Sequence, residues 1–405
     1  MSENQIELKI REKTVMANEL IQGECDQHFN LVKEVFTENL QGETEIGEGV
    51  AVTLGGQPVV DLWGGYIDSR HTSVWQKDTI VNVFSTTKGI VAICALRLVE
   101  AGLLDLDKPV AHYWPGFEKN GKDKITVRQV LSHQAGLPAI REKLPDEALY
   151  DWDRMCGALA NEEVWWEPGP DHGYHAITFG WLVGEVIHRI TGKTVGQYFK
   201  QELTDPLGLE FYLGLNDEQI SRTARISQYK DLSENPEPLP LIKEITENPS
   251  GMTSLAFINP FSIVTGTNTE DWRRSEIPSA NGHCTARALA RLYGALACGG
   301  ELDGVHVLGK ESLDLCYAET SSGKDLVLNV GTRFSHGFMM SQDYDGAAFG
   351  PGERSFGHPG AGGSVGFADP DAEIGFGFVM NRMGPHILLD PRATRLIDAV
   401  YTCLE

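Results

Sequence analysis

Val81-Asn-Val-Phe-Ser-Thr-Thr-Lys-Gly-Ile-Val-Ala-Ile-Cys-Ala-Leu-Arg-Leu-Val-Glu-Ala-Gly102 is the stretch on which the reading of this chain turns. It predicts a helix that starts near Ser85 and ends at Gly102. The hydroxyls of Ser85 and Thr86 suit a helix N-terminus, where they can accept from amides that have no partner inside the helix. Gly102 suits the exit, where glycine takes a left-handed backbone at little cost. Ile90, Val91, Ile93, Cys94, Leu96, Leu98 and Val99 cover most of the circumference, which implies a buried helix.

A buried helix has little use for a lysine, yet Lys88 follows Ser85 by one turn. Positions i and i+3 share a face, so the amine can reach the hydroxyl. A serine hydroxyl is a weak nucleophile that needs a base beside it. A lysine serves as that base when desolvation leaves its amine neutral. The helix N-terminus adds amides, and the positive end of a dipole, where an oxyanion would form. Taken alone, Ser-x-x-Lys reads equally well as a cap followed by a snorkelling lysine.

The chain has 405 residues, room for one large domain or two interleaved ones, and an ordinary globular composition. Its net charge of −23 argues against nucleic acid or an anionic membrane as partner, since both require a basic footprint. Charged residues run through the N-terminus (Glu3, Glu7, Lys9, Arg11, Glu12, Lys13), without the apolar core of a signal peptide. No run approaches the ~20 apolar residues of a membrane span. The cysteines (Cys25, Cys94, Cys156, Cys284, Cys298, Cys316, Cys403) are scattered and odd in number, as expected of a reduced, cytoplasmic protein with free thiols.

Residues 1–25 read as a polar N-terminal extension, and 26–41 as an amphipathic helix. Gly49-Val-Ala-Val-Thr-Leu54 and Val59-Val-Asp-Leu-Trp63 flank Gly55-Gly56, which predicts a β-hairpin. From 85 to 335 the chain reads as mainly helical with active-site loops: Leu131-Ser-His-Gln-Ala-Gly-Leu-Pro138 ends a helix, and Ile177–Ile190 and Thr285–Ala297 are helical. Residues 214–282 lack periodicity and are rich in Pro, Asn, Ser and Gly; so long an irregular tract implies function or disorder. Strands return at Phe356–Ala368 and Ile374–Asn381, with a last helix near 388–403. The expected fold is α+β: an antiparallel sheet built from residues 26–84 and 336–405, flanked by terminal helices, with a mainly helical domain at 85–335 inserted.

A serine–lysine hydrolase needs a third group to pass protons and a second amide for the oxyanion. Tyr174, in Trp166-Glu-Pro-Gly-Pro-Asp-His-Gly-Tyr174, falls at a loop-to-helix junction. A phenol near an ammonium can ionise more easily and act as a base; the plainer reading is a packing tyrosine. Gly357-His-Pro-Gly-Ala-Gly-Gly363 reads as a glycine-rich strand that allows close approach to a ligand, so a substrate carbonyl can meet the amides of Ala361 and Ser85.

Ser-x-x-Lys, then Tyr174, then this strand resembles the serine β-lactamase and penicillin-binding superfamily, and within it the class C β-lactamase-like carboxylesterases of family VIII. The resemblance spans about 45–400 and includes 131–138, 166–169 and Gly375-Phe-Gly-Phe-Val-Met-Asn381. It implies the β-lactamase/transpeptidase-like fold, Ser85 as nucleophile, Lys88 and Tyr174 as general bases, and an oxyanion hole at Ser85 and Ala361. It places substrate against His358, Gly360 and Gly362. Two departures stand out. The family's Tyr-x-Asn is Tyr174-His175-Ala176, which loses an amide-binding asparagine. Its Lys-Thr-Gly is His358-Pro359-Gly360, where histidine is a weaker, pH-dependent anion partner. Both favour a small, uncharged ester over a lactam.

Gly362-Gly-Ser364-Val-Gly366 also matches the G-x-S-x-G nucleophile elbow. That elbow needs a following helix, an acid and a histidine, and His386 is the histidine left in the remaining chain. His172 and His175 flank Tyr174 and can tune it, against the plainer reading of solvated or capping side chains. Phe257, Phe261 and Trp272 are candidate pocket residues. The sequence has no zinc-hydrolase or Walker motif, so no metal and no cofactor are expected. The function expected is hydrolysis of short-chain or aryl esters through a Ser85 acyl-enzyme. A β-lactamase, amide hydrolase or acyltransferase on the same scaffold, and an inactive scaffold protein, remain as alternatives.

Overall fold

The computed structural model describes residues 20–42, 45–229, 240–342 and 348–405. Most of the expected polar extension, residues 1–19, lies outside them. The strands of the large sheet are β1 (Gln22–Cys25), β2 (Gly47–Leu54), β3 (Gln57–Gly65), β4 (Ser321–Lys324), β5 (Gly331–Phe334), β6 (Met339–Met340), β7 (Phe356–Pro359), β8 (Val365–Asp369) and β9 (Ile374–Met380). Their order is β1-β3-β2-β9-β8-β7-β6-β5-β4, antiparallel throughout. The expected hairpin is β2–β3, closed by Gly55 and Gly56 at φ +56° and +75°.

The β-lactamase-like α+β architecture is present, but the sheet takes in more chain than 26–84 and 336–405. β1 pairs with β3 inside the presumed extension, and β4 and β5 come from the stretch read as helical. The two edge strands, Gln-Gly-Glu-Cys and Ser-Ser-Gly-Lys, are short and largely exposed. Polar edges protect a sheet from pairing with other chains, and they erase the apolar alternation by which a strand is recognised.

The centre of the sheet shows its two faces in the sequence. In β9, Phe376, Phe378 and Met380 are buried on one side, paired with Val52, Val50 and Glu48 of β2. Gly375 and Gly377 point to the other side, where the helix Ala286–Ala297 lies on the strand. A Cβ on Gly377 would stand 2.3 Å from the Ala286 carbonyl, and one on Gly375 2.2 Å from the Gly294 amide. The alternation of glycine and phenylalanine thus seats a helix on one face and fills the core on the other. The helices Asn30–Gln41 and Pro391–Thr402 pack together on the Phe376 face.

A second, small sheet joins Val81–Asn82, His283–Cys284 and Phe211–Tyr212. It ties the segment entering Ser85 to the end of the irregular tract. Beyond it, the helix Thr87–Glu100 is buried along almost its whole length. Its exit is as expected, with Gly102 at φ +67°.

Gly377→Val forces the Ala286–Ala297 helix off the sheet, because the clashing atoms are backbone. Denaturant unfolding should show a loss of about 1–3 kcal/mol. An unchanged midpoint would mean that the helix does not rest on this strand.

Candidate active site

The nucleophile motif folds differently from expectation at its start. Helical hydrogen bonding begins at Thr87, so Ser85 lies in the preceding turn. Phe84 has φ +47°, a left-handed conformation that a bulky residue adopts only where the surroundings impose it. The surroundings are explicit. Val83 donates its amide to the Gly282 carbonyl at 2.9 Å, and the Thr87 hydroxyl donates to the Phe84 carbonyl while accepting from the Gly282 amide at 2.9 Å. Thr86 does not cap the helix; its Oγ1 lies 3.2 Å from Ser364 Oγ. The result leaves Ser85 half-buried and reachable while its neighbours Thr86, Thr87 and Lys88 are fully buried.

Lys88 Nζ lies 3.2 Å from Ser85 Oγ, 2.7 Å from the Ala176 carbonyl and 3.1 Å from the Ser279 carbonyl. It has no carboxylate partner among the described residues, and burial holds its pKa well below the ordinary lysine value. A neutral amine has two N–H donors and one lone pair. The two carbonyls take the donors, which leaves the lone pair for the Ser85 hydroxyl proton. Ser279 was not picked out from sequence, because the site uses its main chain. Its hydroxyl meanwhile accepts from the Gly180 amide at 2.6 Å and donates to the Ile177 carbonyl at 2.7 Å. The irregular tract therefore supplies part of the site.

Tyr174 is buried beside Lys88, whose Nζ lies 4.7 Å from the ring centroid, and its phenol interacts with the Ser85 hydroxyl. Burial raises the phenol pKa; the bond with Ser85 lowers it and the charge of Asp325 raises it, and burial prevails. The expectation of an easily ionised phenol is thus reversed, because burial disfavours the phenolate and lowers the pKa of the neighbouring amine as well.

The loop of Tyr174 is held by the 131–138 motif and by Asp325. Gly173 donates to the His133 carbonyl at 3.1 Å, the His175 amide to His133 Nδ1 at 3.1 Å, and the Leu137 amide to His175 Nε2 at 3.0 Å. His133 needs φ +61° to do this. The Tyr174 amide donates to both oxygens of Asp325, at 3.1 and 3.0 Å; that carboxylate also accepts from Val327, Leu328 and Thr332. Asp325 escaped the sequence reading, since nothing local marks an aspartate between two polar strands. His172 and His175 are buried rather than solvated. His172 bonds Thr332 Oγ1 at 2.8 Å, and burial pushes His175 down to about 3.

The second expected amide lies in a turn, because the stretch read as one strand breaks into β7 and β8. Pro359 pairs with Val365, and residues 360–364 bridge them. Among the described residues, neither the Ser85 amide nor the Ala361 amide has a protein acceptor. Gly360 and Gly362 are committed, donating to the carbonyls of Ser364 at 2.6 Å and His386 at 2.8 Å. His358 is 1 % exposed, and its Nδ1–H donates to the Pro359 carbonyl at 2.7 Å. Burial pushes its pKa down to about 3, so it is neutral near pH 7 and does not serve as the pH-dependent cation expected there.

Ser364 is 1 % exposed and donates to the Val83 carbonyl at 2.8 Å, without a base beside it and with a strand after it, so the elbow motif has no elbow. Two expected pocket aromatics are elsewhere. Trp272 is fully buried with its indole N–H on Asn82 at 2.9 Å, and Phe261 is 53 % exposed.

Neutral Lys88 has a signature in stability. Below the unfolded value of 10.5 the unfolded chain binds a proton that the folded chain lacks, so folding stability rises with pH across the window between the lowered folded value and 10.5. Relative to Lys88→Met, which cannot titrate, the wild type should gain about 1.4 kcal/mol per pH unit in denaturant unfolding at alkaline pH. A pH-independent difference would show that Lys88 is charged in the fold.

The sequence profile of the Beta-lactamase family matches residues 32–400. The esterase/beta-lactamase LipL of Mycobacterium tuberculosis is 35 % identical over 376 residues, covering 91 % of this chain and 85 % of that protein. A penicillin-binding protein homologue from Caulobacter crescentus superposes with a TM-score of 0.87 at 39 % identity, over 95 % of this chain and 99 % of the other. A family VIII carboxylesterase superposes with a TM-score of 0.84 at 37 % identity, again over 95 % and 99 %. With matching fold and length, the chain belongs to the β-lactamase family, among its serine hydrolases.

Proposed function

We propose that this protein is a carboxylesterase that cleaves uncharged short-chain or aryl esters through an acyl-enzyme on Ser85. The observation that carries this is the disposition of the Lys88 amine: two carbonyls accept its N–H groups, and the remaining position faces the Ser85 hydroxyl. Such an amine is a base aimed at one proton.

In the proposed cycle the Lys88 lone pair takes the Ser85 proton as Oγ bonds to the ester carbonyl carbon. The negative charge passes to the carbonyl oxygen, where the amides of Ser85 and Ala361 receive it. As the tetrahedral intermediate collapses, the C–O bond breaks and the Tyr174 phenol gives its proton to the departing alkoxide. The Lys88 ammonium then reprotonates Tyr174, which restores both groups. Water attacks the acyl group by the same route in reverse, its proton passing to Lys88 directly or through Tyr174. Tyr174 thus acts first as an acid, in keeping with its raised pKa.

Support for an uncharged ester comes from what surrounds the nucleophile. His358 is neutral, and Ala176 offers no side-chain amide. A carboxylate-bearing lactam would meet neither a cation nor an amide at these positions. The name of one relative, a family VIII carboxylesterase, points the same way, and that of another, an esterase/beta-lactamase, includes ester hydrolysis.

Hydrolysis of p-nitrophenyl butyrate should fall by about 10⁴-fold or more in Ser85→Ala, and by a comparable factor in Lys88→Met. Ser85→Ala turning over at the wild-type rate would overturn the proposal. A chromogenic cephalosporin cleaved as fast as the ester would move the substrate class to lactams.

A further inference from the structure

The 360–364 turn is tied down more firmly than a turn between two strands requires. Its own bonds, from the Gly360 amide to the Ser364 carbonyl and from the Gly363 amide to the Gly360 carbonyl, already close it. The remaining ties reach outward on both sides of Ala361. On the nucleophile's side, Ser364 Oγ donates to the Val83 carbonyl at 2.8 Å and lies 3.2 Å from Thr86 Oγ1, so it grips the turn that carries Ser85. The fit is close: a Cβ on Gly360 would stand 2.2 Å from both Ser364 Oγ and the Val83 carbonyl.

On the other side, Arg392 Nη2 donates to the Gly362 carbonyl at 2.7 Å. Arg392 stands in the first turn of the C-terminal helix, and its guanidinium is fixed by Asp390 (Nε to Oδ1 at 2.7 Å, Nη2 to Oδ2 at 3.1 Å), by the Arg382 carbonyl at 3.0 Å and by Glu45. These partners are almost wholly buried, with side-chain exposures of 14 % for Arg392, 1 % for Glu45 and 3 % for Asp390. Among the described residues the fully buried Glu48 nearby has no partner for either oxygen, and burial raises its pKa well above the ordinary carboxylate value. Cβ atoms on Gly363 and Gly384 would stand 2.9 and 2.7 Å from Arg392 Nη2, which shows how closely the glycines admit it.

We infer that Ser364 and Arg392 are positioning residues of the oxyanion hole: Ser364 locks the Ala361 turn to the Ser85 turn, and Arg392 anchors it from behind, so that the two free amides converge on one point. The inference rests on the proposed esterase reading. It also gives the G-x-S-x-G serine a role, in alignment instead of attack.

The test compares Ser364→Ala, Arg392→Gln and the conservative Arg392→Lys with wild type on p-nitrophenyl butyrate and on its thionoester, in which sulfur replaces the carbonyl oxygen. Sulfur accepts hydrogen bonds poorly, so the preference for oxygen reports how well the hole is aimed. Rates are expressed per active site titrated with a fluorophosphonate, which removes any unfolded fraction. Losing a whole oxyanion donor costs ~10²–10³-fold in kcat, so a misaimed one should cost about 10- to 100-fold with KM little changed. The oxygen-over-sulfur preference should fall with it, and Arg392→Lys should lie between wild type and Arg392→Gln. Variants that match wild type per active site, or that lose ester and thionoester turnover equally, would overturn the clasp. A wild type no more active than Ser85→Ala would instead overturn the esterase reading itself.

Discussion

The amine of Lys88 is buried with two carbonyls and one hydroxyl around it and, among the described residues, no carboxylate set against it. Much of the site follows from that arrangement. An ammonium there would lack the counter-charge that burial demands, so burial holds the amine's pKa well below the ordinary lysine value. His358, His175 and His133 are held neutral near pH 7 by burial. In the proposed mechanism the chemistry then rests on proton transfer between uncharged groups and on backbone amides, which suits a neutral ester better than an anion.

The fold supplies the two carbonyls from different parts of the chain. Ala176 comes from the loop pinned by Asp325 and the 131–138 motif, and Ser279 from the end of the irregular tract. The turn that carries Ser85 is clamped by Gly282, and the Ala361 turn hangs from the centre of the large sheet. Sheet, inserted helices and tract therefore meet at Lys88. The left-handed Phe84 and His133 lie within this junction, which is where strain is sustainable because every neighbour is fixed.

Features set by local pattern were readable in the sequence: the Ser-x-x-Lys spacing, the β2–β3 hairpin, the glycine–phenylalanine alternation of β9, and the motif order that carried the family resemblance. Other features were hidden for identifiable reasons. The edge strands β1 and β4 are polar and lack a period. Ser279 acts through a carbonyl, which every residue possesses. Asp325 and Arg392 act across 151 and 30 residues of sequence. The sign of the Tyr174 shift also escaped, because it depends on whether the neighbouring lysine is charged, and burial decides that. Ser364 shows the converse: a local motif complete in letters, whose structural context gives it another task.

The most direct measurement is to trap the covalent intermediate and find where it sits. The wild-type protein is mixed with an aryl ester, quenched in acid within the first turnovers, digested, and its peptides are weighed. An acyl group on the peptide that carries Ser85, absent from Ser85→Ala, is the result predicted. An acyl group on the peptide that carries Ser364, or turnover with no acylated peptide, would contradict Ser85 as the nucleophile and Lys88 as its base.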